Sequence, residues 1–162
     1  MKNDVNIRLA SREDTQLIMD LIKEFSEYEH SPERVTATKE DFERFMFDEK
    51  YAETLIFSDE SGVVGYMIFD YIFATYEGKP VLHIENFFLR ESARGKGYGK
   101  RGFEYVFKLA LEKGCFRADW TCLHWNVNSM AVYDKMGAVR FNEKLMQYRT
   151  PLEVMQRVAG NY

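Results

Sequence analysis

Three segments near the middle of the chain combine aromatic and β-branched residues and are separated by very short connections. They are ETLIFS (53–58), VVGYMIFDYIF (63–73) and VLHIENFFL (81–89), with the turn sequences DESG and YEGKP between them. Runs of this composition, bounded by glycine and other turn residues, are typical of strands joined as hairpins. The pattern therefore predicts an antiparallel meander of three consecutive strands.

Patterns typical of helices lie on both sides of this meander. Ser11, with Asp14 three residues later, is an N-cap signal, and apolar residues recur at helical spacing as far as Tyr28. Three more helices are predicted: one from Thr38, one from about Lys100 to Lys113, and one over 126–136 that Gly137 ends. The remaining strands are predicted at 5–9 and 116–125 and in a closing hairpin of VRF (139–141) and LMQYRT (145–150).

Composition limits the classes of function. At 162 residues the chain is expected to form one domain over 1–162, and it contains no run of the roughly 20 apolar residues that a membrane helix needs. Residues 1–60 carry sixteen of the 26 acidic side chains but only eight of the 22 basic ones. This separation argues against a nucleic-acid-binding protein and indicates either separate surfaces for cations and anions or scattered solvated charge.

Cysteine and histidine patterns indicate neither a disulfide framework nor a metal site. Cys115 and Cys122 do not form a CxxC pair, and His30, His83 and His124 have no ligand spacing with either cysteine. The first ten residues lack the basic-then-apolar pattern of a signal peptide. We therefore expect a cytoplasmic protein without a metal.

The stretch RESARGKGYGKRG (90–102) places four glycines and five basic residues directly after the third strand of the meander. A flexible surface loop is the simplest interpretation. The segment from Gly97 to Gly102 also matches G-x-G-x-x-G, the dinucleotide-binding fingerprint, and Asp119 lies near the spacing of its ribose-binding acid. The context argues against that motif, because residues 90–96 separate the strand end from Gly97 and the preceding strands are joined by hairpins.

A third interpretation uses Arg94 to Gly99, an R-x-x-G-x-G sequence between a strand and a helix. Glycines allow backbone N–H groups to turn toward one point, and the N-terminus of the following helix adds its positive dipole there. Basic side chains raise the positive potential further, which suits a pyrophosphate better than a single carboxylate. They are Arg94, Lys96, Lys100 and Arg101. The stretch therefore predicts a site for an anion.

This R-x-x-G-x-G motif resembles the acetyl-CoA motif of the GCN5-related N-acetyltransferase (GNAT) superfamily. The order strand, two helices, three antiparallel strands, helix, strand, helix and strands is similar to that fold over essentially the whole chain. Four segments are most similar to the spermidine/spermine (diamine) and thialysine acetyltransferase group: LIKEFSEYEH, HIENFFLRESARGKGYG, WN and VYDKMGA. The resemblance implies an α+β fold with a mixed, mostly antiparallel sheet of about six to seven strands and about four helices. It also implies that the sheet is splayed at its centre for acetyl-CoA, and that the protein is a homodimer.

The resemblance also assigns residues to the cofactor. The strand residues at the end of the meander would lie beside the pantetheine arm, and the loop from Arg94 to Lys100 would hold the pyrophosphate. Further along the chain, Asn126 and Ser129 are expected to contact acetyl-CoA as well. The predicted cofactor-binding residues are Phe87, Phe88, Leu89, Arg94, Gly95, Lys96, Gly97, Tyr98, Gly99, Lys100, Asn126, Ser129 and Tyr133.

Two residues are predicted to carry the chemistry. By resemblance, Tyr133 lies near the thioester sulfur, where its hydroxyl can protonate or stabilise the leaving thiolate. Glu85 is the candidate base, because an alkyl ammonium is mostly protonated at neutral pH and a nearby carboxylate can pass its proton on. A core aromatic and an outward-facing strand carboxylate are the structural alternatives for these two residues. His83 alternates with Glu85 on one strand face and is a candidate second proton carrier.

The amine is expected to bind at the acidic end of the first helix. Tyr28 and Glu29 match a YE pair that helps to hold the distal part of the amine in similar enzymes, and Asp119 and Glu85 are predicted to face the same cleft. A solvated acidic helix end is the alternative. Asn86 stands where the group commonly has an aspartate, and this difference bears on any preference for polyamines.

The predicted activity is direct transfer of acetyl from acetyl-CoA to a primary amine of a small cationic metabolite. That metabolite is a polyamine or a lysine analogue such as thialysine. A protein or peptide N-acetyltransferase and a noncatalytic acyl-CoA-binding sensor are the alternatives.

Overall fold

The computed structural model describes residues 4–141 and 149–160. Over these ranges the chain forms one five-stranded sheet and five α-helices, an arrangement of the α+β class. The strands are β1 (Asn6–Leu9), β2 (Glu53–Asp59), β3 (Gly62–Ala74), β4 (Lys79–Leu89) and β5 (Ala118–Trp120). The helices are α1 (Thr15–Tyr28), α2 (Lys39–Phe42), α3 (Tyr98–Glu112), α4 (Val127–Met136) and α5 (Leu152–Ala159).

The predicted meander is confirmed. The strands β1 to β4 are sequential antiparallel neighbours, and β5 lies beside β4 in parallel orientation. β5 is short and pairs only with Leu82 to Ile84, whereas β4 continues beside β3 as far as Leu89. Among the described strands, none pairs with the β5-facing edge of residues 85–89. Among the described strands the sheet is therefore open at this edge, which agrees with the splayed sheet that the resemblance implied.

A β-bulge interrupts the pairing of β3 with β4. Residues 68 and 69 of β3 lie opposite residues 86 and 84 of β4, so Glu85 is an extra residue. A bulge bends the strand and re-aims nearby side chains. Here it shifts the alternation, so that Phe88 and His83 lie opposite Tyr66 and Asp70, which share one face of β3.

One face of the sheet, here called the α1 face, packs against α1. Buried side chains from both sides form one apolar cluster that includes Ile56, Tyr66, Ile68 and Phe88 of the sheet and Ile18 and Leu21 of the helix. The Phe25 ring lies 6.3 Å from the Tyr66 ring. Because Asp70 and His83 are in register on this same face, a polar pair lies at the margin of an apolar cluster.

The opposite face, here called the α3 face, packs against α3. The ring of Phe87 on β4 lies 5.7 Å from Phe57 of β2 and 5.5 Å from Phe103 of α3. Gly102 allows α3 to lie close to Phe57, since a Cβ at this position would be 2.5 Å from the Phe57 ring. Phe103 also contacts Trp120 of β5, with ring centroids 5.5 Å apart. Aromatic packing therefore holds α3 against this face of the sheet.

The two predicted helix starts in the first third of the chain are confirmed. Ser11 and Asp14 form a capping box at a 3-10 turn that leads directly into α1. Thr38 and Asp41 form a second capping box at the start of α2. α2 continues as a π-helix through residues 43–48.

Several predicted elements differ from the structure. The described residues contain five strands instead of six to seven, because the predicted closing hairpin is not among them. The strand predicted over 116–125 is present but covers only Ala118 to Trp120. VRF (139–141) is not a strand, and its predicted partner LMQYRT lies mostly outside the described residues. The fifth helix, α5, was not predicted, although Pro151 as N-cap and apolar residues at helical spacing were signals for it.

The chain divides into two compact units, Met1–Thr121 and Cys122–Tyr162. The first contains the sheet with α1, α2 and α3, and the second contains α4 and α5. In the second unit Gly137, with a φ of 95°, ends α4 as predicted. In the part of the chain that the structure describes, no helix combines the length and the apolar character needed to cross a bilayer.

Candidate active site

The open edge of β4 carries the strand residues that were predicted to lie beside a pantetheine arm. Phe87 packs on the α3 face, whereas the Phe88 ring lies 5.6 Å from Phe25 on the α1 face. Both side chains therefore belong to the packing on either side of the sheet. Together with Leu89, they present backbone polar groups that lack a strand partner on this edge among the described residues.

The glycine-rich loop joins β4 to α3. Gly95 and Gly97 have φ values of 74° and 81°, and no atom lies within 4 Å of the position that a Cβ would take at either residue. Gly97 is the N-cap of α3, so the helix begins two residues earlier than predicted and its cap offers no side-chain acceptor. The N–H groups of Tyr98 to Lys100 therefore have no intrahelical partner. This open turn at a helix N-terminus fits the phosphates of a CoA group.

Two arginines flank the start of this loop. Arg90 is bound to α1, with hydrogen bonds of 2.8 and 2.5 Å to the Glu24 carboxylate and one of 2.6 Å to the Val63 carbonyl. Arg94 donates to a backbone carbonyl at 2.9 Å, and its guanidinium lies 4.6 Å from the centre of the Tyr28 ring. Arg90 therefore links the end of β4 to α1, and the contacts of Arg94 fix its guanidinium between the loop and α1.

The remaining cationic residues of the loop lie near carboxylates. Lys96 Nζ is 3.8 Å from Oδ2 of Asp59, and the same carboxylate oxygen accepts a 3.1 Å hydrogen bond from the Tyr98 hydroxyl. Lys100 Nζ is 3.7 Å from Glu104 on the exposed side of α3. Because the Tyr98 side chain is buried and bonded, only its backbone N–H is placed to meet a ligand.

A surface cavity of about 470 Å³ opens beside the loop. The second half of α1 lines one side, and the end of β4 with the following turn lines the other: Glu24, Glu27, Tyr28, Phe88, Arg90, Glu91 and Arg94. Carboxylates and guanidinium groups therefore face the same space. Within the first unit, this cavity lies between the acidic end of α1 and the start of the glycine-rich loop.

The end of α1 carries the predicted amine-binding pair. Tyr28 is the last helical residue and Glu29 is the C-cap. Burial raises the pKa of the Glu29 carboxyl above its usual range, and the nearby Arg34 opposes this effect. Burial, followed by the charges of Glu29 and Glu85, also raises the pKa of the Tyr66 hydroxyl. The two carboxylates therefore act on the same buried hydroxyl on the α1 face.

Glu85 occupies the bulge, and its side chain is 62% exposed. Its Oε2 lies 3.8 Å from Nε2 of His83, whose Nδ1 lies 3.1 Å from Oδ2 of Asp70. Asp119 of β5 is in register with His83, and its carboxylate accepts from Nε of Arg117 at 3.0 and 3.2 Å. The structure therefore brings Glu85, His83 and Asp119 together on adjacent strands.

Three predicted site residues lie in the second unit. Asn126 is the N-cap of α4, and its Oδ1 accepts from the backbone N–H of Ser129 at 3.3 Å. Tyr133 lies about two turns into the same helix and is half-buried. Asn126 and Ser129 thus form one helix cap, and the contacts of all three residues with a cofactor stay predictions.

Three features near the site were not predicted. Asp70 had a sequence signal, since it is the one charged residue in the apolar run VVGYMIFDYIF. The Tyr66 hydroxyl is fully buried and has no hydrogen-bond partner among the described residues. The pairing of Glu24 with Arg90 joins positions far apart in the chain, so no local pattern indicates it.

Comparison with known proteins identifies the family. The model of the acetyltransferase (GNAT) family matches residues 15–138, which include α1, the sheet from β2 to β5, the glycine-rich loop and α4. The chain belongs to this family. As a GNAT protein it is an N-acetyltransferase with the α+β GNAT fold that the sequence predicted. GNAT acetyltransferases use acetyl-CoA as cosubstrate.

Relatives of this GNAT enzyme have more specific names. The thialysine N-epsilon-acetyltransferase of Bos taurus is 30% identical over 167 residues, which cover 96% of this chain and 98% of that protein. The L-ornithine N5-acetyltransferase of Arabidopsis thaliana is 37% identical over 81 residues, or 50% of this chain and 36% of that protein. A solved integron cassette protein from the mobile metagenome of V. cholerae has a TM-score of 0.77 at 21% identity, covers 98% of both chains and shares the fold.

Proposed function

We propose that this GNAT enzyme transfers acetyl from acetyl-CoA directly to a primary amine of a small cationic metabolite, a polyamine or a lysine analogue such as thialysine. The observation that carries the proposal is the cavity at the end of β4, where the acidic half of α1 faces the loop that contains Arg94. A donor with a pyrophosphate and an acceptor with an ammonium require such neighbouring sites of opposite charge. The relatives named above for thialysine and ornithine support a small amine as acceptor.

The donor would be held by backbone groups and one fixed cation. The N–H groups of Tyr98 to Lys100 and the guanidinium of Arg94 would bind the pyrophosphate, and the open edge of β4 would accept the pantetheine arm much as a sheet edge accepts a strand. Asn126 and Ser129 would add contacts. When bound, acetyl-CoA supplies an activated thioester and a thiolate leaving group.

The acceptor needs a base and a counter-charge. An alkyl ammonium with a pKa of about 10 must lose a proton, at a cost of about 4 kcal/mol at pH 7. Glu85 is exposed at the open edge of β4 and would take this proton. Glu29 and Tyr28, with Asp119, would hold the distal part of the amine. A bound ammonium would offset the burial that disfavours ionised Glu29.

The transfer is proposed to be direct, without an acyl-enzyme. Cys115 is buried, and burial raises the pKa of its thiol, which is unfavourable for a nucleophile. Tyr133 is proposed as the acid that protonates or stabilises the leaving thiolate. Changing Tyr133 to Phe would then lower turnover more than affinity for acetyl-CoA, and unchanged turnover would exclude this role.

We further propose that both units act as one acetyltransferase domain, in a cytoplasmic homodimer. The two free cysteines suit a reducing compartment. Large apolar side chains are exposed where β3 leads into β4, with Phe73 68% and Tyr76 fully exposed, and a second copy of the chain would cover them. Light scattering of the purified protein is expected to give the mass of two chains, and a mass of one chain would contradict the dimer.

The central experiment measures CoA release from acetyl-CoA by purified protein with different amines. The panel contains spermidine, spermine, putrescine, thialysine, lysine, ornithine and unrelated peptides, with a reaction lacking amine as the blank. Release with one or more small amines is the expected result. Release with peptides alone would favour protein N-acetylation, and tight cofactor binding without release would favour a sensor.

A further inference from the structure

Three polar side chains lie next to one another on β3 and β4, and the first two are hydrogen-bonded. Asp70 and His83 are directly opposite in the antiparallel register, and Oδ2 of the first lies 3.1 Å from Nδ1 of the second. The other ring nitrogen of His83, Nε2, lies 3.8 Å from Oε2 of Glu85. The exposed fractions of these side chains are 28% for Asp70, 30% for His83 and 62% for Glu85, so the most accessible end is the proposed base.

The contact with Asp70 decides which tautomer His83 adopts. An ionised carboxylate only accepts hydrogen bonds, so Nδ1 of His83 must carry a hydrogen to bond with Asp70. In the neutral imidazole the lone pair is then on Nε2, which is the nitrogen that faces Glu85. The ring is therefore oriented to accept a proton from the direction of Glu85.

Carboxylates on three neighbouring strands lie close to this imidazole or in register with it. Asp70 of β3 bonds to it, Glu85 lies beside it on β4, and Asp119 of β5 is opposite it in register with Arg117 bound to its carboxylate. From α1, Glu29 is the carboxylate whose charge reaches the same buried Tyr66 hydroxyl as Glu85. The imidazole therefore lies next to acidic side chains of the same sheet.

On the basis of the proposed function, we propose that Asp70 is a positioning residue. It orients His83 to receive the proton that Glu85 removes from the substrate ammonium. One N–H bond of the ammonium breaks as an O–H bond forms on Glu85. That O–H bond then breaks as an N–H bond forms at Nε2 of His83, which becomes an imidazolium while Glu85 returns to a carboxylate. The imidazolium, whose side chain is partly exposed, finally loses the proton to water and returns to the neutral form.

The 3.8 Å separation is compatible with this route. Glu85 is largely exposed and lies in a bulge, and on the proposed route its side chain rotates to bring Oε2 within hydrogen-bond distance of Nε2. Catalytic hydrogen bonds are commonly long before substrate binds and shorten in the complex. A purely structural pair would instead need only the contact between Asp70 and His83.

The first arm of the test uses the free protein and needs no substrate. Nitrogen chemical shifts in NMR spectra report the tautomer of each histidine, and the variant His83→Phe assigns the signals of His83 among the three histidines. We expect neutral His83 to carry its hydrogen on Nδ1 in the unchanged protein, and to shift toward the Nε2–H tautomer in Asp70→Ala. The Nε2–H tautomer in the unchanged protein, or no difference in the variant, would overturn the proposal.

The second arm measures steady-state kinetics with the best amine. Asp70→Ala and His83→Phe are each expected to lower kcat about 10-fold or more with KM for the amine within about 2-fold, because both remove the same proton route. The double variant should be no slower than His83→Phe alone. Additive losses, or a change confined to KM, would overturn the relay.

Controls separate this proposal from folding defects and from the proposed function. Asp70→Glu keeps the carboxylate and should recover part of kcat, while Asp70→Asn keeps the side-chain size if the alanine variant does not fold. Glu77→Gln removes an exposed charge from the β3–β4 turn and should leave both readouts unchanged. If no amine supports CoA release by the unchanged protein, the proposed function fails, and the tautomer measurement still decides the role of Asp70.

Discussion

The helices α1 and α3 cover opposite faces of the same sheet but are attached to it by different means. α3 is held by aromatic rings and by the missing side chain at Gly102, which lets the helix approach Phe57. α1 also buries apolar residues, but arginine–carboxylate pairs hold it near each end: Arg8 to Asp14, and Arg90 to Glu24. Polar contacts at the ends of α3 are longer: the Tyr98 hydroxyl donates to Asp59 at 3.1 Å, and Lys113 Nζ lies 3.9 Å from Glu53. Aromatic packing is therefore more prominent on the α3 face, and arginine–carboxylate bonding on the α1 face.

This difference coincides with the position of the proposed proton-transfer residues, which lie on the α1 face. On the α3 face, β4 contributes the Phe87 ring, which packs between the rings of Phe57 and Phe103. The α1 face keeps Asp70, His83, Glu85 and the Tyr66 hydroxyl next to its apolar cluster. Since burying unpaired polar groups costs stability, we expect substitutions on the α3 face to change mainly stability and those on the α1 face to change mainly activity.

The largest expected effect is on the α3 face. Gly102→Val should lower the free energy of unfolding by about 3 kcal/mol, because the new side chain cannot fit between α3 and Phe57 without displacing one of them. Urea denaturation would measure it. The matched control is Gly99→Ala, where a Cβ would lie 3.6 Å from Phe87 and should change stability by less than about 1 kcal/mol. Equal losses of stability in both variants would show that the close approach of Gly102 to Phe57 does not hold α3 in position.

The second effect is on the α1 face and concerns rate. Glu85→Gln should lower kcat about 100-fold, with the largest loss at low pH, because more of the amine is then protonated and needs a base. Its free energy of unfolding should change by less than about 0.5 kcal/mol, since the side chain is largely exposed. The pH profile of turnover, with Glu77→Gln as control, is the measurement. An unaltered profile would argue against Glu85 as the base.

The third effect concerns the polar attachment of α1. Hydrogen bonds from Arg8 hold the pKa of Asp14 at about 2, below its usual value of 3.8. The stabilisation is therefore present above pH 4 and is lost as pH falls toward 2. Asp14→Asn should lower the free energy of unfolding by about 2 kcal/mol at pH 7, and this effect should shrink below about pH 4 and be nearly absent at about pH 1.

A matched control for Asp14 is available on the same side of the molecule. Asp48 pairs with Arg12, but its side chain is 59% exposed, so Asp48→Asn should change stability by less than about 0.5 kcal/mol. Denaturation curves at several pH values would compare the two variants. A cost for Asp14→Asn that does not depend on pH would mean that the cap geometry, and not the charge, holds α1.

The smallest expected effect has the opposite sign. Tyr66→Phe should raise the free energy of unfolding by about 1 kcal/mol, because it removes a buried hydroxyl that has no partner among the described residues. Tyr98→Phe is the contrasting variant, since its hydroxyl donates to Asp59, and we expect it to be destabilising. Loss of stability in Tyr66→Phe, measured by urea denaturation, would show that this hydroxyl has a bonded partner in solution.

Much of the fold could be predicted because its signals are local. The meander was indicated by composition and short turns, and the starts of α1 and α2 by capping residues that contact positions three residues away. The short extent of β5 could not be predicted, because it depends on how far the chain stays paired with β4, a strand distant in sequence that itself continues to Leu89. In the candidate site, the loop from Arg94 to Lys100 was indicated by its glycines, whose left-handed φ values the structure shows at Gly95 and Gly97.

The sequence was sufficient for those features that depend on neighbours along the chain: the strands of the meander, the starts of α1 and α2, the glycine turn at a helix N-terminus, and the acidic end of α1. Contacts between distant positions depend on the assembled sheet. The register of β3 and β4 places Asp70 against His83, and the bulge at Glu85 shifts the alternation that a regular strand would keep. The ion pair between Arg90 and Glu24 likewise forms only when α1 packs at the end of β4. Pairing between residues this far apart in the chain follows from the folded geometry and has no local sequence pattern.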